Sequence, residues 1–177
     1  MKNTTPPPSV MMCVDTGEKT WLTPRSVLDC LGDFALDPCC PDGGMPWATA
    51  GTMITKSQNG LLADWNGKRV WLNPPYGHEA VPFFEKMIRD DARGIALVFA
   101  RTDNSLWHDW IFPFATAVMF LRGRLHFCRQ DGTPGNTATA PSALIAYGEA
   151  DADILFRAYA NGKLRGSYVK LTKETNK

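Results

Sequence analysis

The sequence predicts a single α/β domain whose mostly parallel sheet carries antiparallel strands toward its end. Three observations lead to this fold class. The length of 177 residues suits one domain with a sizeable core. Predicted strands and helices alternate through the first two thirds of the chain, which is typical of a parallel sheet flanked by helices. Strands predominate in the final third, which favours antiparallel strands there.

The first elements are read from turn and capping residues. Residues 1–20 are rich in proline and lack apolar periodicity, which predicts a flexible arm ahead of a domain over residues 21–172. Thr23 followed by Pro24 is typical of a helix N-cap with proline in the first turn. The elements expected up to the middle of the chain are a helix over Pro24–Leu31, a buried strand over Phe34–Asp37, a turn over Pro38–Gly44, a surface loop over 45–60 and a strand over Arg69–Leu72.

The later elements follow from apolar spacing. Val81, Phe84, Met87 and Ile88 recur on one face, which predicts a helix over Glu79–Asp90. The remaining expectations are a strand over Ile95–Ala100, a helix over Ser105–Phe112, strands over Ala117–Leu121 and Leu125–Cys128, a loop over Gln130–Pro141, a strand over Ala143–Tyr147, a helix over Ala150–Ala160, a strand over Ser167–Leu171 and a tail over 173–177.

The composition excludes several classes of protein. Hydrophobic content of 44% and charged content of 21% are ordinary for a globular domain. Five cysteines without a C-x-x-C pair, and three widely spaced histidines, argue against a disulfide framework and against a metal site. No stretch suits a membrane span or a signal peptide, so we expect a cytoplasmic protein. The net charge is only +1, but the segment from Phe156 onward is basic.

The tetrapeptide Asn73-Pro74-Pro75-Tyr76 follows the apolar run Val70–Leu72. Its structural interpretation is a strand stop, because proline cannot donate to the sheet. Its chemical interpretation is a grip on one exocyclic NH2 group, since an Asn amide oxygen and a proline-fixed carbonyl are both acceptors. The tyrosine adds a flat face on which a planar base can stack. This set of groups indicates chemistry on an amino group of an aromatic ring, with adenine N6 as the leading candidate.

A second motif runs from Leu36 through Asp37, Pro38 and Cys39 to Gly44. It reads as a strand-end acid followed by a tight loop that could approach a small ligand, although a plain Pro/Gly-rich turn is the alternative. It is neither a dinucleotide fingerprint nor a phosphate-binding loop. In a parallel sheet, Asp37 and Asn73 would both lie at the ligand-binding carboxyl edge.

Together these features resemble the S-adenosylmethionine-dependent amino-methyltransferases of DNA, and in particular the small phage-type DNA N-6-adenine methyltransferases. The resemblance covers about residues 20–148 and implies a Rossmann-like methyltransferase fold. Further segments that fit the family's pattern are Asn59–Leu61, Trp65–Trp71, Ala100–Asp103 with Trp107, Phe120–Leu125 and Ala140–Ser142.

The resemblance also implies roles for individual residues. Asn73, Pro74, Pro75 and Tyr76 would be catalytic. Residues implied to bind the cofactor are Thr23 and Pro24 at its methionine end, then Asp37, Pro38 and Cys39. The family usually has an acid where this chain has Asn59, so either Asn59 or nearby Asp64 would bind the cofactor's adenine. Arg101, Arg122 and Arg124 are candidates for DNA contacts, although surface arginines at strand ends are commonplace.

The expected function is methyl transfer from S-adenosylmethionine to adenine N6 of double-stranded DNA, with base flipping, in a phage- or prophage-encoded protein of the bacterial cytoplasm. Alternatives are amino-methylation of RNA or of protein glutamine, and a DNA-binding relative with impaired catalysis. Restriction-modification is a possible context, and a monomer or weak homodimer without metal is expected. Sequence specificity would come from loops 45–60 and 129–141, or be lax.

Overall fold

The computed structural model describes residues 21–172, and the predicted arm and tail lie outside them. These residues form nine strands and three α-helices. The strands are β1 Leu36–Cys40, β2 Thr52–Thr55, β3 Arg69–Leu72, β4 Arg93–Phe99, β5 Ala117–Leu121, β6 His126–Cys128, β7 Pro134–Thr137, β8 Ser142–Tyr147 and β9 Gly166–Lys170. The helices are α1 Arg25–Leu28, α2 Val81–Arg89 and α3 Glu149–Ala160. Short 3₁₀ turns occupy Lys56–Gln58, Gly60–Leu62 and Gly77–Ala80, and a wider π-helical segment occupies Leu106–Ile111.

Seven strands make one sheet in the order β2-β1-β3-β4-β8-β5-β9. The first four are mutually parallel, and β8, β5 and β9 each run antiparallel to the preceding neighbour. The predicted fold class is confirmed: a parallel half carries the two motifs, and an antiparallel half follows. The remaining strands, β6 and β7, form a separate hairpin.

Both faces of the sheet are covered by apolar side chains. On one face α1, α3 and the β6–β7 hairpin pack on Trp71, Leu97 and Leu144. On the other face α2 and the π-helical segment pack on Leu72, Val98 and Ile145. Fully buried strands need apolar residues on both sides, which explains the continuous run Ser142–Tyr147, where every residue is buried.

Three predicted loops or turns contain strand residues instead. β1 extends through Pro38 to Cys40 because the pairing with β2 shifts register between Asp37 and Cys40, which accommodates the missing proline N–H. The expected surface loop 45–60 contains β2, and the expected loop 130–141 contains β7. β2 and β7 contain polar residues that are typical of loops. They are strands because β2 pairs with β1 and β7 pairs with β6.

Two helices also differ from expectation. α1 begins at Arg25 because the preceding Pro24 is extended, with ψ 137°, and no side chain caps the helix. Thr23 is therefore not the N-cap. The segment Leu106–Ile111 is wider than an α-helix, since the Phe112 N–H donates to the Trp107 carbonyl five residues back at 2.8 Å.

Candidate active site

The two motifs lie on neighbouring strands at the carboxyl edge of the parallel half. Leu36 in β1 is paired with Val70 in β3. Asp37 therefore follows directly after the paired position, whereas Asn73 lies three residues beyond it, past the end of β3. Asp37 is buried at 3% exposure and Asn73 is half-buried. The acid is part of the sheet, and the amide projects from its edge.

The side chain of Asn73 is oriented by the segment that precedes α1. Its Nδ2 donates to the backbone carbonyl of Trp21 at 3.5 Å. The strand-like bridge between Leu22 and Cys128, closed by two hydrogen bonds of 2.9 Å, fixes this segment against β6. Because the NH2 group faces Trp21, Oδ1 faces away from it and accepts no hydrogen bond from any other residue of 21–172. The site therefore presents a free acceptor at Asn73.

Tyr76 presents one aromatic face at the same edge. The other face stacks on Phe99 at the end of β4, with ring centroids 4.3 Å apart and planes inclined by 7°. The tyrosine is still 43% exposed. Partial desolvation raises the pKa of Tyr76 to about 12, so its hydroxyl stays protonated at neutral pH. Sequence reasoning did not identify Phe99, whose only sequence signal is its place at the end of a predicted strand.

A cleft of about 200 Å³ opens beside the tetrapeptide. Pro74, Pro75 and Tyr76 form one wall, and the end of β4 with Arg101 and Asn104 forms the opposite wall. Pro74 is buried, so its position is fixed by packing. The cleft thus brings together Pro74, Pro75 and Tyr76 of the predicted catalytic residues with the predicted DNA contact Arg101, whereas Asn73 does not line it.

Asp37 is surrounded by donors from its own loop. The Cys39 backbone N–H donates to Oδ1 at 2.9 Å, and the Thr49 hydroxyl makes a short hydrogen bond to Oδ2. Burial raises the pKa of Asp37, and the two hydrogen bonds partly oppose that rise. Burial and the nearby Asp37 charge also raise the pKa of the Cys39 and Cys40 thiols. Neither thiol is a ready nucleophile, because the thiolate is the reactive form.

The segment carrying Asn59 packs directly on this loop. Gly60 leaves no room for a side chain, since a Cβ there would lie 2.1 Å from the Pro38 carbonyl oxygen. Asn59 adopts the left-handed conformation at φ 55°, and its Oδ1 accepts the Leu61 N–H at 3.2 Å. Asn59 therefore immediately precedes the residue that packs on Pro38. By contrast, Asp64 accepts the Asn66 N–H at 3.0 Å and pairs with Lys68 in its own exposed turn.

Thr23 carries a buried hydroxyl that has no hydrogen-bond partner within the described chain. An unsatisfied buried hydroxyl is costly, so it is a position where a polar ligand group would be favourable. Pro24 follows it and is half-buried. Thr23 is thus available as a ligand contact, next to the segment that orients Asn73.

The three predicted DNA contacts are exposed residues at strand ends. Arg101 follows β4, with its guanidinium 5.7 Å from the centroid of Phe99. Arg122 and Arg124 follow β5, and Arg124 reaches the Ala138 carbonyl at 3.5 Å. All three lie at the edge that carries Asn73, because β4 and β5 run in the same direction through β8.

No group of His, Cys, Asp or Glu that could hold a metal ion occurs between residues 21 and 172. Within the same residues, no helix is long and apolar enough to cross a membrane.

Comparison with known proteins bears on this site. The family model described as DNA N-6-adenine-methyltransferase (Dam) matches residues 13–163. The chain is also similar to the DNA N-6-adenine-methyltransferase of Haemophilus phage HP1 (strain HP1c1), with 26% identity over 144 residues that cover 78% of this chain and 76% of the relative. No solved structure matches the chain.

Proposed function

We propose, from the premise that the chain belongs to the DNA N-6-adenine-methyltransferase (Dam) family, that S-adenosylmethionine is its methyl donor and that the target base leaves the duplex to react. The chain is an adenine-specific DNA methyltransferase of this family. The donor, the base flipping and the roles of individual residues make up the proposal.

The observation that carries the proposal is the orientation of Asn73. Its Oδ1 is the free end of an amide whose NH2 group faces the Trp21 carbonyl. We assign Oδ1 and the Pro74 carbonyl as acceptors for the two N6 hydrogens of adenine. The adenine NH2 is a poor nucleophile, because its lone pair is delocalised into the ring. Two acceptors favour a more pyramidal nitrogen, whose lone pair could then form a bond to a donor methyl group as the bond from that methyl group to sulfur breaks. The methylated nitrogen would then release one proton to solvent.

Tyr76 would hold the flipped base. Rotating a base out of the duplex costs a few kcal/mol. Stacking on the exposed face of Tyr76 would recover about 1 to 3 kcal/mol. Phe99 supports the opposite face of the same ring and keeps it in place. The cleft of about 200 Å³ is smaller than sites for drug-sized ligands, about 300 to 1,000 Å³, and suits a single planar base.

The residues that we assign to S-adenosylmethionine have hydrogen-bonding capacity that the described chain does not use. The Thr23 hydroxyl is buried and unpartnered within the described chain. A carboxylate has about four acceptor positions, so Asp37 can take further donors beyond Cys39 and Thr49. Asn59 precedes Gly60, which packs against Pro38, and we assign Asn59, in preference to Asp64, to the cofactor's adenine. When bound, the cofactor supplies an electrophilic methyl group on a sulfonium centre.

The direct test is methyl transfer by the purified full chain. The protein is incubated with tritiated-methyl S-adenosylmethionine and unmethylated double-stranded DNA, and the product nucleosides are identified by mass spectrometry. Labelled N6-methyl-2′-deoxyadenosine from the DNA is expected. RNA and a glutamine-containing protein are offered as acceptors in parallel reactions. Label in cytosine, or transfer to RNA or glutamine but not to DNA, would contradict the proposal, as would the absence of both transfer and calorimetric binding of the donor.

A further inference from the structure

The end of β5 and the start of β9 place two arginines directly opposite each other. These strands pair antiparallel, with Leu121 opposite Gly166. One step further along the same register, Arg122 lies opposite Arg165, and the Arg122 N–H donates to the Arg165 carbonyl at 2.9 Å. Both residues are exposed. The positions opposite each other in such a pair share one face of the sheet.

Like charges directly opposite each other in an antiparallel pair are destabilising. Neither Arg122 nor Arg165 forms an ion pair with an acid among residues 21–172. Arg124, two residues beyond Arg122, reaches only a backbone carbonyl within this region. Among residues 21–172 the fold therefore concentrates positive charge here without an ion-paired acid, which is the condition that an external anion would relieve.

We propose that Arg165 binds a DNA phosphate together with Arg122, on the flank of the target base; this inference rests on the proposed function. Arginine presents a planar fork of donors that matches phosphate geometry. β9 starts at the edge that carries Asn73, four strand steps from β3. At about 4.8 Å a step this is roughly 19 Å, or about five to six nucleotides along one DNA strand at 3.4 Å each.

The first experiment measures the salt dependence of DNA binding. Arg165→Gln is compared with wild type by fluorescence anisotropy on a random-sequence 20-base-pair duplex. The slope of log K, where K is the association constant for DNA, against log salt concentration is negative. Losing one phosphate contact should make this slope shallower by about 0.9. The affinity ratio of wild type to variant should then shrink about 3.5-fold between 50 and 200 mM salt. Arg165→Lys should largely keep the wild-type slope.

Arg89→Gln is the matched control. Arg89 is an exposed arginine at the end of α2, which leads back to the opposite edge of the sheet, and it pairs with Asp90. The same loss of charge at that edge should leave the slope unchanged. Equal salt slopes for wild type and Arg165→Gln would overturn the assignment. Equal reductions of the slope in Arg165→Gln and Arg89→Gln would also overturn it.

A second measurement separates binding from a structural role. Arg165→Glu places opposite charges across the strand pair, so the melting temperature should rise, by up to about 3 °C. DNA affinity should nevertheless fall further than in Arg165→Gln, because Arg122 is then neutralised. A lowered melting temperature with parallel loss of affinity would assign Arg165 a structural role instead.

Methylation assays distinguish this inference from the proposed function. If the wild type methylates DNA and Arg165→Gln shows an unchanged KM for DNA and an unchanged salt slope, the phosphate contact is wrong and the function stands. If no methyl transfer occurs but the slope changes as expected, the DNA surface stands and the proposed function fails.

Discussion

The segment around Asp37 in β1 and the segment around Asn73 after β3 differ in how many of their polar groups are hydrogen-bonded within the protein. Around Asp37, the carboxylate is buried and accepts hydrogen bonds from Cys39 and Thr49 within the same region. Around Asn73, the amide oxygen has no partner in the described chain, and Tyr76 keeps 43% of its surface exposed. The polar groups of the first segment are hydrogen-bonded to one another, whereas the second leaves the Asn73 oxygen without a partner in residues 21–172 and Tyr76 partly exposed.

Because of this difference, mutations around Asp37 should affect folding, whereas mutations of Asn73 and Tyr76 should affect function. Removing a group that is satisfied inside the protein leaves its partners unpaired and lowers stability. Removing a group that has no internal partner leaves the fold largely intact and affects only what binds there. Four changes test this contrast between stability at Asp37 and function at Asn73 and Tyr76, and the change with the greatest expected effect comes first.

Asn73→Ala removes the free acceptor and should lower kcat for methyl transfer at least 100-fold, in line with the loss of one preorganised polar group at a reacting centre. Its stability should change by no more than about 1 kcal/mol, because the side chain makes one long hydrogen bond, to Trp21. Tritiated-methyl transfer and calorimetric binding of S-adenosylmethionine check both parts, and donor binding should survive.

Asn66→Ala is the control for that substitution. Asn66 is an exposed asparagine in the turn before β3, and only its backbone N–H is bonded, to Asp64. It should retain wild-type turnover. Substantial activity in Asn73→Ala would remove Asn73 from the catalytic set.

Tyr76→Ala should weaken binding to DNA that contains the target adenine by about 1 to 3 kcal/mol, or roughly 5- to 150-fold, through lost base stacking. Binding to the same duplex with an abasic target should change less, because it offers no base to stack. Tyr76→Phe keeps the ring on Phe99 and should bind both duplexes nearly as the wild type does. Equal losses on both duplexes would argue against stacking.

Asp37→Asn should lower stability by about 1 to 2 kcal/mol at pH 5, since one acceptor oxygen becomes a donor facing Cys39 or Thr49. For a domain of this size the melting temperature should fall by about 2 to 8 °C. Asp33→Asn, at an exposed residue, is the control and should melt with the wild type. A normal melting temperature in Asp37→Asn would show that this loop does not depend on its acid.

The difference in unfolding free energy between wild type and Asp37→Asn should also change with pH. This change should be smaller than the difference itself, and its direction follows from the pKa of Asp37. Burial raises the pKa of Asp37 above its ordinary value of 3.8. The folded protein therefore holds this proton more tightly than the unfolded chain, and the resulting stability is complete below about pH 4 and lost as pH rises through the folded pKa. Urea unfolding from pH 4 to pH 7 should show the gap between wild type and Asp37→Asn narrowing. A widening gap would contradict the raised pKa.

The amino-acid pattern predicted where the two motifs lie, because each motif is made of contiguous residues. The apolar run before Asn73 sets the strand end, and the prolines that follow stop the pairing. Asp37 precedes a proline and was therefore expected at the end of a strand, but it is the second residue of β1. The exact extent of β1 was not predictable, because Pro38 is accommodated by a register shift that depends on β2.

Contacts between distant residues were not predictable in the same way. Trp21 orients Asn73 from 52 positions away, Phe99 supports Tyr76, and Arg165 lies opposite Arg122. β2 and β7 show the same limit, since their polar sequences become strands only beside β1 and β6. No local spacing encodes these pairs.

The amino-acid sequence alone was enough to predict the fold class and the positions of the two motifs, because the order of strands and helices and the short motifs are set by neighbouring residues. That the motif residues carry amino-group chemistry stays a prediction. The tertiary structure decided which of those groups are free. Asp37 is enclosed by hydrogen bonds while Asn73 and Tyr76 remain open, because burial and partner choice depend on elements brought together by the sheet. The same sheet joins the basic C-terminal segment to the active edge at Arg165, through a strand pairing that no linear pattern contains.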